Sequence, residues 1–198
     1  MAITLDGTNG ITDANGGTVL NTTATQTLTN KTLTAPTITG GSLSGTSGII
    51  TQGTAVASTS GTAIDFTGIP SWAKRITVMY SGLSTSGTNI VQLRLGISSG
   101  FVSTGYSSFY QQGTTTSNIS TGIAICPFTT ASTTNSGSFK IENLSGNNWV
   151  ISGINGVSSP SVSISAGSIS LSDVLDRIRI TMVSDSFDAG TINIMYEG

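Results

Sequence analysis

The sequence predicts an all-β protein: an extended N-terminal segment and shaft, followed by an antiparallel β-sandwich or jelly-roll head. Three observations carry this. Charged residues make up only 8% of the 198-residue chain, about a third of the usual share of roughly 25%, so the polar surface falls to Ser, Thr, Asn and Gly. Those residues favour strands and turns over helices. All twelve aromatics lie at or beyond Phe66, which places a bulky core in the second part of the chain only. Between Thr25 and Leu43 the apolar residues Leu28, Leu33, Ile38 and Leu43 recur every fifth position, a period that belongs neither to a helix nor to a strand.

The first part divides into three pieces. Residues 1–20 hold short apolar pairs, Ile3/Leu5 and Val19/Leu20, between Asn-Gly and Gly-Gly turn signals, and read as an attachment tip. Residues 21–43 read as a thin shaft. One chain cannot bury a row of one apolar residue in five, whereas several identical chains side by side bury it along a common axis. The same Thr-rich composition also suits a disordered linker. Residues 44–61 are rich in Ser, Gly and Thr and read as a connector, so that shaft and connector together cover 21–61.

Residues 62–198 read as a succession of strands. In Arg75–Tyr80, Ile76, Val78 and Tyr80 share one face; in Asn89–Ile97, Val91, Leu93, Leu95 and Ile97 point inward and Gln92 and Arg94 outward. Ile119–Phe128 reads as one nearly continuous apolar strand. Phe139–Leu144 and Asn148–Ile154 form a hairpin across Ser145, Gly146 and Asn147. Val162–Ile164 and Ile169–Leu171 are short strands. Leu175–Val183 sets Ile178, Ile180 and Met182 against Arg177, Arg179 and Thr181, and Thr191–Tyr196 turns Ile192, Ile194 and Tyr196 inward after a loop at Ser184–Gly190. A helical turn is expected at Pro70–Lys74. Seven to nine strands at this spacing point to a sandwich or jelly roll.

The composition removes many chemistries. Without histidine and with one cysteine, no Ser-His-Asp or Cys-His arrangement and no His/Cys zinc site can be built in one chain. Neither GxGxxG nor GxxxxGK[ST] occurs; no cofactor is expected. Seven Lys and Arg against nine Asp and Glu leave no basic surface for nucleic acid. There is no apolar run long enough to insert in a membrane, and the first residues lack a signal peptide's pattern. Cys126, in the apolar GIAICPF, reads as a buried inert thiol of a protein made in a reducing cytoplasm.

The carboxylates Asp173, Asp176, Asp185 and Asp188 remain. Asp185 and Asp188 read as turn residues of SDSFDAG, with a calcium site there as the alternative. Arg177 and Arg179 read as a solvated face or a subunit contact, with Asp176 or Glu142 as partners. The Asn-x-Ser/Thr triplets at Asn21, Asn30, Asn118 and Asn143 are what a Ser/Thr-rich chain produces by chance. Tyr106, Phe109 and Tyr110 in GYSSFYQQG, and Trp149 after Gly-Asn-Asn, set rings beside polar groups as glycan or protein recognition does; the other reading is that they are core aromatics at strand ends.

TLTNKTLTAPTI resembles a motif of bacteriophage tail fibre and other virion fibre proteins. GTAIDFTGIPSWAKRITVMYSGLSTSGT and LDRIRITMVSDSFDAGTINIMYEG are similar to the start and end of a C-terminal domain in phage structural proteins. Together these stretches cover 64 residues, and none has catalytic content. The resemblance implies a non-enzymatic homotrimer made in the host bacterial cytoplasm and carried on the virion exterior. Residues 1–20 would attach it to a phage tail or capsid protein, and the head would bind a host cell-surface glycan or protein. A capsid fibre or decoration protein with a purely structural role is the alternative.

Overall fold

The computed structural model describes residues 4–6, 10–12, 18–19, 50–127 and 129–198. The shaft row Leu28, Leu33, Ile38 and Leu43 lies outside the described residues, as do Asn21, Asn30 and Phe128. The chain forms two compact units, Met1–Ser42 and Leu43–Gly198. In the first, strands β1 (Thr4–Asp6), β2 (Gly10–Thr12) and β3 (Thr18–Val19) form an antiparallel sheet. Its register sets Leu5 across from Ile11 and Ile11 across from Val19.

The second unit is all-β and antiparallel. Its strands are β4 (Ile50–Gln52), β5 (Val56–Ala57), β6 (Ala63–Thr67), β7 (Arg75–Thr85), β8 (Val91–Ile97), β9 (Gly100–Phe101), β10 (Ser107–Gln112), β11 (Thr115–Ile119), β12 (Ile123–Cys126), β13 (Asn135–Ser145), β14 (Asn148–Val157), β15 (Ser161–Ser170), β16 (Arg177–Thr181) and β17 (Phe187–Glu197). A nine-stranded sheet runs β11-β10-β15-β14-β13-β7-β17-β4, with β5 also on β17; a five-stranded sheet runs β12-β8-β16-β6, with β9 on β8. Both contribute to one core. Ile76, Val78, Phe139, Ile141 and Ile151 of the larger sheet join Leu93, Leu95, Ile123, Ile125, Ile178 and Ile180 of the smaller.

Strict alternation explains why these segments form strands. Along β14, Trp149, Ile151 and Asn155 are buried while Val150, Ser152 and Ile154 are exposed; along β15, Ser163, Ser165 and Ile169 are buried while Val162, Ile164, Ala166 and Ser168 are exposed. A period of two commits every second side chain to one face. The β13–β14 hairpin turns at Gly146, whose φ of 53° favours glycine. The Asn143 side-chain amide donates to Gly146 O at 2.8 Å.

Several expectations need correction. Ile119–Phe128 is not one strand: the bend at Ser120–Gly122 separates β11 from β12, and the two belong to different sheets. Val162–Ile164 and Ile169–Ser170 belong to the single strand β15, with Leu171 just beyond its end, because small residues between them suit close packing on β10. Gln92 does not reach solvent but is buried, with Thr121 Oγ1 donating to its Oε1 at 2.9 Å. Pro70–Lys74 makes the single turn expected there, with Ala73 N–H donating to Pro70 O at 3.0 Å. The Ser184–Gly190 loop ends early, since β17 starts at Phe187, which is buried. Residues 50–52 and 56–57, read as part of a turn-filled connector, form strands β4 and β5 and pair with β17.

Candidate docking faces

The four aromatics singled out as recognition residues do not form one exposed cluster. Tyr106, Tyr110 and Trp149 are buried; only Phe109 is exposed, at 58%. GYSSFYQQG reads as a loop from its polar residues, but Ser107–Gln112 pairs on both sides, with β11 and β15, and its alternation turns Tyr110 inward and Phe109 outward. Tyr106 serves the core as a tether. Its hydroxyl accepts from Leu95 N at 2.7 Å, and burial pushes its pKa up to about 12. Trp149 packs in the core from the start of strand β14, just after the β13–β14 turn.

Phe109 belongs to a larger feature, the outer face of the nine-stranded sheet. Register places Phe109 across from Ala166, Ala166 from Ser152, and Ser152 from Lys140. The next row runs Gln111, Ile164, Ile154, Ser138 and Met79. Val162 and Val150 lie beyond these rows on the same face. Val150, Ile154, Val162 and Ile164 are all exposed, the last three by more than half. The paired Ile154 and Ile164 form a ridge. On one side lies a groove of about 240 Å³ lined by Phe109, Gln111, Thr116, Ile164 and Ala166; on the other lies one of about 360 Å³ lined by Ser138, Lys140, Ser152 and Gly153. Single exposed apolar residues are ordinary, whereas a contiguous set marks a surface that something covers.

The outer face of the five-stranded sheet is different in kind. Arg179 makes a two-pronged pair with Asp65, both contacts 2.7 Å. Arg177 grips Asp176 at 2.7 and 3.0 Å, and that contact holds the Asp176 carboxyl below the usual range. Of the two expected partners Asp176 is therefore the one used; Glu142 instead accepts from Arg75, which also pairs with Glu197. Phe101, on β9, lies beneath both guanidiniums: the Arg179 carbon is 4.1 Å and the Arg177 carbon 5.8 Å from the ring centre, a cation–π arrangement. Arg94 is the cross-strand neighbour of Arg179. The sequence shows these arginines but not Phe101, which only the β8–β9 pairing brings to them.

Asp185 has a structural task. Its Oδ2 accepts from the Asn89 backbone N–H at 2.7 Å and from the Asn89 side chain at 2.8 Å. The backbone bond holds its carboxyl below the usual range. Asp188 lies within β17 rather than in the same loop. Among the described residues no group of three or more His, Cys, Asp or Glu could hold a metal ion, and no helix is long and apolar enough to cross a membrane.

Cys126 is buried and unpaired by any disulfide, and burial pushes its thiol up to about 12. It borders a polar network between the sheets. Asn155 Nδ2 donates to Asn135 Oδ1 at 3.0 Å and to Ser163 Oγ at 3.3 Å. The Tyr80 hydroxyl lies 3.1 Å from both Asn155 Oδ1 and Ile125 O, and Asn135 Nδ2 donates to Leu83 O. No family model, curated protein or solved structure matches this chain.

Proposed function

We propose that this chain is a non-enzymatic bacteriophage tail fibre subunit. It forms a homotrimer, attaches to the virion through residues 1–20, and presents its C-terminal unit, read as a β-sandwich or jelly-roll head, to the host surface. The observation that carries the reading is the exposed apolar face of Phe109, Val150, Ile154, Val162 and Ile164. A domain that leaves such a face on one sheet is built to work in contact with another macromolecule. The virion setting comes from the fibre-like motif of residues 27–38 and the resemblance at both ends of the head.

In this reading the host contact has two candidate places on the head, the Phe109 groove and the Phe101–Arg177–Arg179 cluster. Three weak sites carried on one fibre act together through effective concentration. Imaging intact particles with a label on this chain tests the proposal. Tail-borne copies, together with purified chain blocking phage adsorption to host cells, are the expected result. Copies on the capsid would select the decoration-fibre alternative, and particles free of the label would sink both.

A further inference from the structure

We infer that the outer face of the five-stranded sheet binds a carboxylate-bearing sugar of the host surface, with Arg94 as the residue that takes the carboxylate. The inference rests on the host-contact reading above and names the chemistry of its ligand.

Register builds the site. Arg94 on β8, Arg179 on β16 and Asp65 on β6 lie in one cross-strand row. Arg177 lies one row along, opposite Gly96 and Thr67. Gly96 leaves the Arg177 stem its room, since a Cβ there would fall 2.6 Å from Arg177 Cγ. Three of the chain's four arginines thus share one face. Phe101 holds the plane of Arg179 from beneath, 4.1 Å away, and Asp65 holds its edge.

Pairing on this face is uneven. Arg179 has Asp65 and Arg177 has Asp176. Arg94, half-buried on β8, has no carboxylate partner among the described residues. Its Nη2 donates to Gln92 Oε1 at a long 3.4 Å, and that oxygen already accepts from Thr121 Oγ1 at 2.9 Å. Its Nε is buried without a partner. Its cross-strand neighbour Arg179 is another cation, and like charges set opposite one another are unfavourable. A guanidinium so placed gains from an incoming anion, which meets the outer nitrogens of its fork.

Charge selects the anion. Three arginines against Asp65 and Asp176 leave one positive charge in excess on this face. One carboxylate balances it, and its two coplanar oxygens match the guanidinium fork; a phosphate monoester, carrying more than one charge, overshoots it and is repelled by the two aspartates. A sugar fits better than an acidic protein segment. Phe101, the ring of the cluster, lies under two guanidiniums instead of standing open as the apolar anchor on which a protein interface centres. Beyond Arg179 the row ends at Asp65, on the wall of a cleft of about 410 Å³. There the exposed Gln52, Thr54 and Thr67 and the half-buried Tyr196 set hydroxyl and amide groups beside a ring, the equipment of a sugar subsite. Arg94 and Asp65 are two strand spacings apart, ~10 Å, the span of an oligosaccharide rather than of a small free anion.

The test presents the full chain to immobilised oligosaccharides that carry uronic or sialic acids, and to the same backbones with each carboxylate reduced to an alcohol. Acidic members should be held at least about tenfold more tightly than their reduced forms, a comparison that needs no variant. Arg94→Gln should abolish that preference with near-UV circular dichroism unchanged. Arg94→Lys, which keeps the charge and loses the fork, should retain part of it. Arg75→Gln removes the same charge from the Glu142–Glu197 cluster and should leave binding as it was. No preference for any acidic member overturns the inference. So do sulfated sugars bound in place of carboxylated ones, a preference that Arg94→Gln leaves intact, or one that Arg75→Gln lowers equally. Phage adsorption separates the two readings. If the purified native chain blocks adsorption and Arg94→Gln blocks it equally well, this inference falls and the host-contact reading stands. If the native chain blocks nothing, the host-contact reading falls and takes the host origin of the sugar with it.

Discussion

Replacing Asn155 by Ala should be among the most damaging single changes in the head, although it touches neither docking face. Asn155 is fully buried on β14, between the exposed Ile154 and the half-buried Gly156. Its amide supplies donors to Asn135 Oδ1 and Ser163 Oγ, and its oxygen lies 3.1 Å from the Tyr80 hydroxyl. Alanine leaves the first two acceptors without that donor in a space closed to bulk water. Tyr80 keeps Ile125 O. A buried polar group left unsatisfied costs about 1–3 kcal/mol, so two such groups plus a small void cost about 2–5 kcal/mol. That is a large part of a total stability of about 5–15 kcal/mol. Urea unfolding of the full chain, followed by the fluorescence of buried Trp149, measures it; with a slope of about 2 kcal/mol/M the midpoint should fall by about 1–2.5 M. Asn135→Ala, alone and combined with Asn155→Ala, completes a double-mutant cycle. The pair should be less than additive, because each change removes the same bond. A midpoint unchanged to within about 0.3 M, or strict additivity, would refute the network as a stabilising unit.

Alkaline pH should unfold the head through groups kept protonated by burial. Burial raises Tyr80 above its ordinary value, takes Tyr106 from 10.0 to about 12 and takes Cys126 from 9.0 to about 12. A raised folded pKa contributes stability that is intact below the unfolded value and is lost as pH rises toward the folded one. The loss should therefore begin near pH 9 and grow towards pH 12, with tyrosinate absorbance appearing in step with loss of near-UV dichroism; early, independent ionisation of all four tyrosines would contradict this. Gly153→Ala should destabilise by about 2–3 kcal/mol, because a Cβ there falls 2.4 Å from the Phe139 ring and from Ser138 O; chemical denaturation reads the loss directly. Asp185→Asn should loosen the Asn89 segment, seen as faster amide exchange there. In the native chain the same loosening should appear only in acid, as pH falls through a carboxyl value held below normal by Asn89.

The sequence by itself determined the fold class and most of the inward faces. Ile76, Val78, Leu93, Leu95, Ile178, Ile180, Ile192 and Ile194 were readable because each sits in a short alternating run, and alternation is a local property. Cys126 was readable for a similar reason, lying in an unbroken apolar stretch. The Arg177–Asp176 pair is local too. Strand pairing is not local, and there only the tertiary structure decided. Whether Ser107–Gln112 is a loop or a strand depends on hydrogen bonds to β11 and β15, the latter some fifty residues further on; once paired, its period sends Tyr110 into the core and Phe109 out. Ile119 and Ile123 read as one run, yet a bend sends them to different sheets. Val150, Ile154, Val162 and Ile164 each look unremarkable in sequence. They become a single apolar face only because β14 and β15 pair with Ile154 opposite Ile164, a register fixed by the buried residues on the other side of the same strands.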